Sequence, residues 1–110
     1  MKLLIAGSRS ITDFDPERLI PKETEFIICG GAEGIDRLAE QYADKHKISK
    51  LVLQPEYAKY GKGAPLKRNE TMVDLADSVL IVWDGFSKGT KYTMEYAKRA
   101  GKTLTVITLK

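Results

Sequence analysis

The chain has 110 residues, 43% hydrophobic and 30% charged, a composition that fits one folded domain over residues 1–110 and excludes a disordered or fibrous chain. Its 18 basic and 15 acidic residues leave a net charge of +3, compatible with anionic ligands but too small to predict nucleic-acid binding by itself. A single cysteine, Cys29, excludes an internal disulfide and a cysteine metal cluster, and without a long apolar run or signal-like start a cytoplasmic protein is expected.

The first apolar run, Lys2–Ala6, is strand-length and ends at glycine. A short helix is expected over Asp15–Leu19, with Asp15 as N-cap and Pro16 at the first helical position. Glu25–Cys29 is the second apolar run. Beyond it, Ile35, Leu38, Ala39, Tyr42 and Ala43 fall at i, i+3, i+4, i+7 and i+8, one stripe of a helix. Lys50–Gln54 is the third run, and a long loop is expected from 55 to 65. Asn69, Met72, Val73 and Ala76 form the next helical stripe, followed by the fourth run, Ser78–Asp84. Thr93, Tyr96, Ala97 and Ala100 mark a last helix that stops at Gly101, before the final run, Thr103–Thr108. Apolar runs with little alternation are strands buried on both faces. Their alternation with helices gives βαβ units and a doubly wound, Rossmann-like α/β domain, five parallel strands with helices on both faces.

Ligands in such sheets sit beyond the carboxyl ends of the strands, which singles out four loops. In the first, Gly7 permits a tight turn, while Ser8 and Arg9 offer a hydroxyl and a guanidinium. The second, CGGAEGID, holds Gly30, Gly31 and Gly34 with Asp36 in the first helical turn, suited to cap the helix or to accept ribose hydroxyls. In the third, Tyr57 and Tyr60 are suited to stack on a base or to cover strand ends, and Pro65, Arg68 and Asn69 open the next helix. In the fourth, GFSKGT, Gly89 and Thr90 stand at a helix N-terminus, an anion site by virtue of its unpaired N–H groups and dipole. Neither a dinucleotide fingerprint nor a P-loop occurs. His46 reads as a surface residue, Cys29 as a small buried thiol, and no spacing suggests a metal.

Taken in order, Gly7-Ser8-Arg9, Gly30-Gly31-Ala32-Glu33-Gly34-Ile35-Asp36, Pro65-Leu66-Lys67-Arg68-Asn69 and Gly89-Thr90 resemble the motifs of the SLOG superfamily. That Rossmann-like group includes DprA/Smf and the Lonely Guy proteins, and the nearest likeness is to its small stand-alone YspA/YpsA-related members. The resemblance covers nearly the whole chain. It implies a central first strand, hence the order 3-2-1-4-5, and a bound nucleotide or nucleotide-derived molecule. It also implies phosphate at Gly89-Thr90 with Arg9 and Arg68 beside it, and frequent homodimerisation through helices; no cofactor is expected.

One departure separates two functions. Lonely Guy enzymes, which hydrolyse the N-glycosidic bond of nucleoside monophosphates, carry PGGxGTxxE in the last loop. Here the run is DGFSKGTKYT, with Phe86-Ser87 in place of the second glycine and its neighbour, and Thr93 where the glutamate is expected. Glu95, two residues on, is rotated by about 200° around the helix. Ligand binding or sensing is therefore the leading expectation. A phosphoribohydrolase with Asp36 or Asp84 as substitute carboxylate is the alternative, and DprA-like binding of single-stranded DNA a second.

Overall fold

The five apolar runs form five parallel strands in the order β3-β2-β1-β4-β5 in a computed structural model that describes residues 1–109. They are β1 (Lys2–Gly7), β2 (Phe26–Gly30), β3 (Ser49–Leu53), β4 (Ser78–Trp83) and β5 (Thr103–Thr108). The central strand β1 pairs with both neighbours, Leu4 lying opposite Ile28 of β2 and Val79 of β4. Alternation along β1 divides the core. Leu3 and Ile5 join Ile27, Cys29, Leu80 and Val82 on one face, while Leu4 and Ala6 join Ile28, Val79 and Ile81 on the other. Each fully buried leucine or isoleucine contributes about 1.5–3 kcal/mol of transfer free energy, so both layers drive closure of the sheet.

Helix α1 (Ile35–Lys45) covers the first face through Ile35, Ala39 and Ala43, and Ile11 and Ile20 of the β1–β2 connection pack beside it. Helices α3 (Ala64–Leu75) and α4 (Lys88–Arg99) cover the other through Met72, Val73 and Ala97. The tyrosines of α4 are used within the chain: Tyr96 donates to Asp74 (2.9 Å) and Tyr92 to Glu70, tying α4 to α3.

Two local expectations are corrected. Asp15–Leu19 forms no helix. Asp15 accepts the Glu17 N–H (3.0 Å) and Leu19 N–H donates to the Pro16 carbonyl (2.9 Å), but a single turn has no further residues over which to recover its nucleation cost. The 55–65 segment is not plain loop: Tyr57–Tyr60 makes a helical turn, α2, and Gly61–Gly63 a 3₁₀ turn leading into α3.

Candidate functional site

The sheet order reverses between β1 and β4, and the connections beyond their carboxyl ends are fastened together there. Ser8 N–H donates to the Val82 carbonyl (3.0 Å), and the Ser8 hydroxyl accepts the Asp84 N–H (3.0 Å). Above this seam lies a cleft of about 430 Å³ between the strand ends and the first turns of α1, α3 and α4. Ala6 and Gly7, at the end of β1, line its floor, and a side chain at Gly7 would meet the Val82 carbonyl and Ile35. A second hollow of about 550 Å³ opens at the amino ends of the strands, against Phe26, Ile28, Leu51 and Leu75. It gathers the carboxyl end of α3, whose dipole repels an anion, so the strand-end cleft is the better candidate.

The glycines of the β2–α1 connection have separate tasks. Gly34 is the residue before α1, with φ 74° and ψ −128°, and a side chain there would meet the carbonyls of Ser8 and Arg9 at 2.6 Å. It is architectural. Gly30 leaves room for two charged groups: a Cβ would lie 2.6 Å from Arg68 Nη1 and 2.8 Å from Asp36 Oδ2. Gly31 does the same for Gln54, whose amide nitrogen such a Cβ would overlap.

Arg68 is fixed before any ligand arrives. Its Nε donates to Asn69 Oδ1 (2.8 Å) and its Nη1 to the Leu53 carbonyl (3.1 Å), which leaves further guanidinium N–H groups for the cleft. Asp36, only 7% exposed, accepts the Ala32 N–H at Oδ2 (3.3 Å). Burial raises its pKa, and this outweighs the lowering by the Ala32 amide and the Arg68 charge.

In the β4–α4 connection the amides are divided between protein and cleft. Asp84 Oδ1 accepts the N–H groups of Phe86 (2.8 Å) and Ser87 (2.9 Å), and Oδ2 accepts the Ser10 hydroxyl (2.8 Å). Those donors, the Phe86 and Ser87 amides foremost, hold its pKa down at about 2. Ser87 is the N-cap of α4: its hydroxyl oxygen accepts the Thr90 N–H at 3.5 Å and lies 3.1 Å from Thr90 Oγ1. The helix therefore begins one residue earlier than Gly89. Among the described residues the Lys88 and Gly89 N–H groups have no protein acceptor, as expected for a first helical turn.

The cleft brings together Gly7, Arg9, Gly31, Ala32, Asp36, Pro65, Arg68, Asn69, Gly89 and Thr90 of the expected residues. Gly30 and Gly34 lie behind it. Ser8 (1% exposed) and Asp84 are the fasteners of the seam, outside the cleft lining. Gln54, Leu66, Met72, Ser87 and Thr93 line the cleft unforeseen. The strand-end rule reaches Gln54, one residue past β3, and a serine three residues before Thr90 is an N-cap signal. Thr93, at the position of the absent glutamate, is buried and donates to the Gly89 carbonyl (3.0 Å), whereas Glu95 is exposed and His46 stands outside the cleft beside Glu17 (3.4 Å). No family model, curated protein or solved structure matches this chain.

Proposed function

We propose that the protein binds or senses a nucleotide or nucleotide-derived small molecule, as a small SLOG-type domain. The observation that carries this reading is the start of α4, which opens Gly89 and Thr90 into a cleft that Arg9 and Arg68 also line. The unpaired Gly89 amide, a favourable dipole and two guanidinium groups together suit a phosphate. The exposed Tyr57 ring and Leu66, on the β3 side of the cleft, offer an apolar surface for a base.

Asp36 favours hydrolysis as a second reading, since a cleft carboxyl with a raised pKa has the character of a general acid. Thr93 in place of a glutamate, with Glu95 turned to solvent, favours binding without turnover.

A thermal-shift series with nucleoside monophosphates, followed by chromatography of each mixture, tests both. Ligand at 100 times its Kd stabilises the fold by about 2.7 kcal/mol, and intact nucleotide is the expected product. A released free base establishes the hydrolase instead. Unchanged melting with every phosphate-bearing nucleotide, at millimolar concentration, would sink the proposal.

A further inference from the structure

Asp36 is the one acidic residue lining the cleft among the described residues, and the phosphate reading does not use it. The residue is more than nine-tenths buried, and only Oδ2 has a protein partner among the described residues, the Ala32 N–H. Oδ1 has none, and the residue lines the cleft. Arg68 does not consume it either, because the guanidinium is directed to Asn69 and the Leu53 carbonyl. A largely buried carboxylate is retained at a cost in stability, and its free oxygen is an acceptor available to a ligand in the cleft.

The sheet order says what that ligand group is. Helix α4 starts beyond β4, whereas Asp36 stands beyond β2, with β1 between them. Two strand spacings are about 10 Å. An anion held at α4 therefore cannot also be held at Asp36, where like charges would repel. The group facing Asp36 donates hydrogen bonds, is not anionic, and is joined to the phosphate by a short linker. A ribose 5-phosphate has that form, its phosphate at one end and its hydroxyl pair at the other. Continuing in the same direction past β2, the cleft reaches Pro55, Tyr57 and Leu66, a surface for the base.

Resting on the proposed nucleotide site, we infer that the ligand lies across the strand ends in sheet order and that Asp36 selects a ribose over a deoxyribose by accepting its hydroxyls. The Arg68 charge beside it works against the rise that burial imposes on the Asp36 pKa, without cancelling it.

Isothermal titration calorimetry of the full chain with the four ribonucleoside 5′-monophosphates, their 2′-deoxy counterparts and inorganic phosphate tests this. The preferred ribonucleotide is expected to bind about tenfold or more tightly than its deoxy form. In Asp36→Asn, which keeps an oxygen for the Ala32 N–H, the ratio of ribonucleotide to deoxynucleotide affinity is expected to fall towards one. Equal affinity for both sugars in the wild type, or a preference that survives Asp36→Asn, overturns the inference while leaving phosphate binding intact. Failure of every ligand to bind, inorganic phosphate included, removes the nucleotide reading and this inference with it.

Discussion

In the β4–α4 connection, Asp84 accepts from two amides and a serine hydroxyl, and its pKa is held at about 2. In the β2–α1 connection, Asp36 accepts from one amide at 3.3 Å, and burial raises its pKa. Both aspartates follow a strand end, close to glycines, at the start of a helix. The number of donors decides between them. A carboxylate with its lone pairs filled fastens loops together, whereas one buried with an oxygen to spare is held ready for something else.

The glycines of the two connections give the largest expected contrast. Gly34→Ala forces a side chain into a backbone region open essentially to glycine and against two carbonyls at 2.6 Å, and a loss of about 3 kcal/mol or more is expected from denaturant unfolding. Gly85→Ala, at φ 88° in the β4–α4 connection, meets nothing closer than Thr108 Cγ2 at 4.0 Å, so only the backbone term of about 1 kcal/mol remains. Equal losses would mean that β2–α1 is no more tightly built than its counterpart.

Asp84→Asn comes next. Because the folded pKa lies below the ordinary 3.8, the carboxylate stabilises the fold above that value and loses this role as pH falls through about 2. The variant should melt below the wild type at neutral pH, and the two melting curves should converge near pH 2. A constant gap down to that pH would show that Asp84 acts by shape rather than by charge.

The strands, their parallel order and the stripe of α1 were legible because they follow from local apolar periodicity and a short list of permitted topologies. The roles of the two aspartates were not. Ser8 and Ser10 reach Asp84 across 76 and 74 positions of sequence, and Arg68 comes to Gly30 across 38 positions. No local pattern counts donors supplied from such distances. The Asp15–Leu19 expectation failed for the complementary reason: its capping signals were present, and Asp15 does accept an amide, but nothing beyond propagated the turn.

Gly30→Ala separates site from scaffold with a smaller effect. Its Cβ displaces the ends of two side chains, Arg68 and Asp36, rather than any backbone atom. Little change in stability is expected, with phosphate-ester affinity falling about tenfold by titration calorimetry. A variant that unfolds but binds normally when folded would place Gly30 with Gly34 among the architectural glycines.

The smallest and sharpest contrast is in Asp36→Asn without ligand. A folded pKa raised by burial means that ionised Asp36 opposes folding, fully above its folded pKa and not at all below the unfolded one. Glu40, on the same helix, raises the pKa further, and Arg68 only partly offsets both. Removing the charge should therefore raise the melting temperature slightly at neutral pH, with the gain fading as acid protonates the wild-type carboxyl. Asp84→Asn must move the other way in the same buffers. Opposite signs from one chemical change at two strand ends would show that the chain gives up stability at β2–α1 and recovers it at β4–α4. Two losses would return Asp36 to the scaffold.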